Sequence, residues 1–224
     1  MFYGPDNTTD KNTLDISYNM DLSYKMDLSI FKGKKIMFYG PGNTSDKNTL
    51  DISYFDYIII TNNMVELFFN KYGDELSCKI IHLVNTLYSL THLDIIKKYS
   101  DKIEIIISIK KGYNYLKSNM NRDNIYRIPK HVPSVCGTPL GLSRILMLLD
   151  KAMFKELYIT GVTFYSESKI EECYENTQYI IKQGYKYNIF NADKKKHDLQ
   201  SNITYTKKIC NSNKNITICK DLQD

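Results

Sequence analysis

The sequence predicts an α/β fold of Rossmann-like type, a mostly parallel sheet with helices on both faces in a single domain. Three observations predict it. From Lys34 onward, short and continuously apolar runs alternate with stretches of helical periodicity, the pattern of strands buried on both faces. A glycine-containing turn, YGPGNTS from Tyr39 to Ser45, directly follows the first of those runs. Polar residues, Asn62 and Thr163 among them, stand just beyond later runs, where open α/β sheets bind their ligands.

The length of 224 residues suits one domain with a sizeable core. The net charge of +5 comes almost wholly from lysine, the arginines being Arg122, Arg127 and Arg144. Lys, Asn, Ile and Tyr are all abundant and all have A/T-rich codons, so an A/T-rich genome accounts for the basic balance without a polyanion, and no nucleic-acid partner is expected. Cys78, Cys136, Cys173, Cys210 and Cys219 show no metal-ligand spacing and read as reduced core or near-core thiols. No apolar run approaches the ~18 residues of a membrane span, and no signal-peptide pattern opens the chain. A soluble, cytoplasmic protein is the expectation; nothing in the sequence specifies an oligomeric state.

Residues 1–18, MFYGPDNTTDKNTLDISY, recur as MFYGPGNTSDKNTLDISY at 37–54, differing only at Asp6/Gly42 and Thr9/Ser45. Two copies followed by unrelated sequence are a local duplication, since a solenoid needs several stacked repeats. The second copy follows Lys34, Lys35 and Ile36 and completes a strand, whereas the first has no such partner. Gly42 also permits backbone conformations that Asp6 resists. Residues 1–33 are therefore assigned to a poorly packed extension and 34–224 to the Rossmann-like domain.

Within 34–224 the apolar runs place strands at 35–39, 57–61, 79–84, 102–109, 156–160, 187–190 and 215–219. Helical periodicity covers 64–72, 90–99, 111–120, 140–152, 170–184 and 199–210. The stretch from Pro133 to Tyr165 organises the rest: a Gly/Pro turn, a helix with Leu142, Ile145, Leu146 and Leu149 on one face, then a short strand ended by Gly161.

The residues allow two readings at each candidate position. The turn holding Gly40, Gly42 and Asn43 either brings backbone N–H groups to a phosphate or simply ends a strand; it is neither G-x-G-x-x-G nor a Walker A sequence. Asn62, closing FDYIIITNN, either reads a ribose or base edge with its amide or caps the next helix. His197, after Lys194 to Lys196, is either a base whose imidazolium the lysines disfavour or an incidental member of a solvated loop. Tyr165 is one of 19 tyrosines, and its hydroxyl either stabilises a leaving phosphate or packs.

The run KELYITGVTFY is similar to the KEIYLSGIDFY-type segment of bacterial lipooligosaccharide sialyltransferases, and the preceding TPLG with its apolar helix resembles their Ser/Thr-Gly turn and helix. The resemblance reaches across most of the chain from Lys34. It implies a metal-independent, inverting glycosyltransferase that moves a sugar from a nucleotide-sugar donor, a cytidine monophosphate conjugate, to a glycan acceptor. The donor is a substrate, and no further cofactor is implied. His197 takes the place of the catalytic base and Tyr165 that of the tyrosine assisting the leaving nucleotide. Gly40, Gly42, Asn43, Asn62, Gly141, Gly161 and Thr163 take the donor-binding places. The order of residues in the glycine turn departs from the family's Gly-Asn-Gly-Pro-Ser, and Thr163 stands where the family has Asp. The absence of Asp-x-Asp agrees with a metal-independent reaction. The alternative is a non-catalytic binding protein that keeps the fold.

Overall fold

A computed structural model describes residues 26–42, 44–62, 64–73, 76–162 and 198–219. One parallel sheet organises them. Its strands are β1 (Lys35–Tyr39), β2 (Tyr57–Thr61), β3 (Lys79–Val84), β4 (Ile103–Ile109), β5 (Ile125–Ile128), β6 (Glu156–Thr160) and β7 (Ile216–Ile218). They lie in the order β5-β4-β3-β2-β1-β6-β7, every neighbouring pair parallel. The expected Rossmann-like α/β architecture is the one observed.

Side chains of a strand alternate between faces, so β1 sends Ile36 and Phe38 to one core and Met37 and Tyr39 to the other. Helix α1 (Met64–Tyr72) buries Met64, Val65, Phe68 and Phe69 in the second core, and α4 (Lys110–Asn119) adds Tyr113 and Leu116. Helix α5 (Gly141–Leu149) covers the first core with Leu142, Ile145, Leu146 and Leu149, joined by Tyr205 of α6 (Leu199–Ser212). Burial on both faces explains why the strands read as unbroken apolar runs. No helix among the described residues is long and apolar enough to cross a membrane.

Several expected boundaries move. The helix expected at 90–99 is two short ones, α2 (Thr86–Thr91) and α3 (Leu93–Lys98), with His92 between them in a non-helical conformation. Strand β5 is not among the expected strands: its four residues, IYRI, pair with β4 at the edge of the sheet formed by the described residues and are too few to show a period. The helix expected to reach 152 ends at Leu149. The expected helix 170–184 and strand 187–190 lie outside the described residues.

The boundary between extension and domain also moves, because Leu28–Phe31 forms a 3-10 turn whose Phe31 is fully buried against Tyr57. Met26 joins the same core, and Asp27 caps the turn through Ser29 N–H. The folded unit therefore begins by Met26, not at Lys34. Residues 1–18, the first copy of the duplication, lie outside the described residues, while the second copy completes β1 from Met37 onward and supplies the turn after it. Gly42 is buried there and donates its N–H to Gly161 O at 2.7 Å, so the Asp6 of the first copy would bring a carboxylate into the interior.

Candidate ligand site at the carboxyl edge of the sheet

Strands β2 to β5 are laid out on one side of β1, and β6 and β7 on the other. The sheet therefore reverses its direction of growth between β1 and β6, and in such sheets the loops leaving the two strands diverge and open a crevice. Gly40 and Gly161 sit at this point. A Cβ on either residue would run into the carbonyl oxygen of the other, and Gly161 has φ +68°, so both positions require glycine. Gly40 N–H bonds Thr160 O at 2.9 Å, and with the Gly42 bond this extends the β1–β6 ladder past both strand ends. The N–H groups of Gly40 and Gly42 are thus already used within the sheet.

The turn after β1 folds back on this junction through two neighbouring residues of opposite charge. Lys47, in the 3-10 turn Ser45–Asn48, is 1% exposed. Its ammonium donates to Gly40 O at 2.8 Å and lies 4.2 Å from the centre of the Tyr39 ring. Asp46 accepts from Tyr158 OH at 2.6 Å and Thr160 Oγ1 at 2.9 Å, and the hydroxyls of Thr44 and Thr160 share a 2.6 Å hydrogen bond. Burial would raise the Asp46 carboxyl, but hydrogen bonds from Tyr158, Cys219, Thr44 and Thr160 outweigh it and hold the group below its ordinary value. Burial first, and then the Asp46 carboxylate, push the Tyr158 phenol well above its ordinary value.

A second group of polar residues collects at the carboxyl ends of β2 and β3. Asn62 has φ 44° and is half-buried; its N–H bonds Leu83 O at 3.0 Å, and its Oδ1 accepts Asn85 N–H at 2.9 Å. Asn85 in turn caps α2 through Tyr88 N–H at 2.8 Å. His82, wholly buried, places Nε2 2.7 Å from Asn62 O. Burial pushes the His82 imidazole down to about 4, opposed by that hydrogen bond.

Gly141 opens α5 over the same strand ends, since a Cβ there would touch Leu83 Cδ2 and Thr61 Cγ2 at 3.3 and 3.4 Å. Asn202 of α6 seats this helix end, its Oδ1 accepting Leu140 N–H at 2.8 Å and Ser143 Oγ–H at 2.6 Å. Burial lowers the Arg144 guanidinium to about 10, and its Nε has no hydrogen-bond partner among the described residues.

Of the residues picked out by sequence, then, Gly40, Gly42 and Gly161 meet at the β1–β6 junction, and Asn62 and Gly141 share the β2–β3 end of the same edge. Asn43, Thr163, Tyr165 and His197 lie outside the described residues. Sequence reasoning missed Lys47, Asp46, Thr160 and His82: a lysine in a polar turn reads as solvated, and a histidine within an apolar strand reads as an isolated interruption. Two surface hollows, of about 540 and 250 Å³, open at the opposite, amino edge; Lys97, Asp101 and Arg122 line one, Tyr57, Glu104 and Tyr126 the other. Comparisons with family models, curated proteins and solved structures return no match.

Proposed function

We propose that this chain is a glycosyltransferase of the kind its sequence resembles, which transfers a sugar from a nucleotide donor, a cytidine monophosphate conjugate, to a glycan acceptor. The observation that carries the reading is the reversal of strand order at β1 and β6, with Gly40 and Gly161 packed backbone to backbone beneath it. Gly40, Gly42, Asn43, Asn62, Gly141, Gly161 and Thr163 are the donor-binding residues in this reading. His197 removes the proton of the acceptor hydroxyl, whose oxygen attacks the anomeric carbon. The bond from that carbon to the phosphate oxygen breaks, and the nucleotide leaves with the electron pair. The Tyr165 hydroxyl stabilises the charge that develops there. A single displacement inverts the anomeric centre and needs no metal, because a monophosphate leaving group carries less charge than a diphosphate.

A second reading, a non-catalytic binding protein on the same fold, has its own support. Thr163 replaces the family's aspartate, and the N–H groups of Gly40 and Gly42 are committed to Thr160 O and Gly161 O. Incubation with cytidine, uridine and guanosine nucleotide sugars, with and without chelator, separates the two. Glycosyl transfer or donor hydrolysis selective for the cytidine conjugate and indifferent to chelator is expected. Binding without turnover selects the second reading, and neither binding nor turnover removes the donor site.

A further inference from the structure

Asn62 is the one non-glycine residue with a positive φ among those described, a conformation that costs L side chains energy, asparagine less than most, and that its surroundings help impose. The bond from His82 Nε2 to its carbonyl is part of that imposition. A carbonyl oxygen only accepts, so Nε2 must carry the ring hydrogen, which leaves Nδ1 a bare lone pair. Nδ1 meets no hydrogen-bond partner among the described residues, although His82 is 0% exposed.

The His82 ring meets the Tyr88 ring edge-on at 6.1 Å between centroids, a contact that an apolar aromatic could also make, so packing alone does not account for a histidine. On β3 the neighbours on the same face are Ile80 and Val84, and an apolar residue at 82 would remove an unsatisfied buried nitrogen. What a histidine adds there is the donor that holds the Asn62 carbonyl. The Asn62 side chain is fixed as well, because Asn85 N–H requires an acceptor and so takes Oδ1. Its Nδ2 has no partner among the described residues.

We propose that His82 is a positioning residue: it holds Asn62 in its left-handed turn, so that the Asn62 amide offers its Nδ2–H donors to an acceptor oxygen or ring nitrogen of a bound nucleotide. The inference rests on the donor-site reading above. It makes the Nδ2–H donors the part of the Asn62 amide not already engaged by the protein, since Oδ1 accepts from Asn85 N–H.

The test compares His82→Gln, whose amide nitrogen reaches the place of Nε2, with His82→Met, which keeps the volume and loses the donor. Cytidine 5′-monophosphate is titrated by calorimetry into the full chain, and the Asn62 and Asn85 amide resonances are followed in asparagine-labelled protein. His82→Met is expected to weaken binding on the order of tenfold and to displace both resonances, and His82→Gln to restore both. If His82→Met does not fold, His82→Asn, whose amide is too short to reach Asn62, takes its place. Unchanged affinity in the variant lacking the donor, or equal losses in Gln and Met, would overturn the proposal. If the unaltered protein does not bind the nucleotide, the donor-site reading fails, and the positioning of Asn62 stands or falls on whether the resonances move in Met and return in Gln.

Discussion

Gly40 and Gly161 exclude each other's side chains: each occupies the space a Cβ on the other would need, and the N–H of Gly42 bonds the Gly161 carbonyl. Gly161 has the added constraint of φ +68°. Gly161→Ala should therefore destabilise the fold by about 2–4 kcal/mol, combining a strained backbone with a forced shift of the β1–β6 junction. Urea denaturation measures this, and a loss below about 1 kcal/mol would show that the junction yields easily.

Asp46 ties the turn after β1 to β6 through Tyr158 and Thr160. Asp46→Ala should cost about 2 kcal/mol, since two hydroxyls lose a charged acceptor. The same change should lower the Tyr158 phenol toward its ordinary range, leaving the parts of the shift that burial and Cys219 cause. A spectrophotometric titration of the tyrosines reads this directly, and an unmoved titration curve would mean that the carboxylate does not govern Tyr158.

His82 links stability to pH. Its folded value of about 4 lies below the ordinary 6.5, so between the two the unfolded chain binds a proton that the folded chain refuses. Its stabilising contribution is whole above 6.5 and is lost as pH falls toward 4, amounting to about 3 kcal/mol. Asp46, held below 3.8, gives way only under more acid conditions. Urea midpoints across the upper window should fall more steeply for the unaltered protein than for His82→Gln; parallel curves would argue against a buried neutral imidazole.

Removal of residues 1–25 should leave the melting temperature within about 2 °C, because the second copy of the duplication completes β1 and supplies its turn. Cutting instead through Leu28 removes Met26 from the core and the Asp27 cap from Ser29, and should lower it by roughly 5–10 °C. Equal melting temperatures for the two truncations would place the start of the folded unit later than Met26.

If His197 is the base of the proposed transfer, His197→Ala should reduce turnover on the order of 10²-fold or more with donor affinity nearly intact. Tyr165→Phe should reduce it less. The pH–rate profile of the His197 variant should lack its acid limb, and transfer that survives with the same profile would put the base elsewhere.

The apolar runs at Lys35–Tyr39, Tyr57–Thr61, Lys79–Val84 and Glu156–Thr160 fall where the strands form, because alternation and full burial are properties of a few consecutive residues. Those runs, with the helical stretches between them, were enough to determine a parallel α/β sheet and to put Gly40, Asn62 and Gly161 at strand ends. Only the tertiary structure decided that β6 returns to lie beside β1, which makes Gly40 and Gly161 neighbours. It also decided that Lys47 turns inward to Gly40 O, and that His82 meets Asn62 O. Gly40 and Gly161, and His82 and Asn62, belong to separate segments of the chain, and even Lys47, seven residues from Gly40, is turned inward by the packing of its loop. Which of them meet depends on how the crossover helices pack on the two faces of the sheet, and no local period encodes that choice.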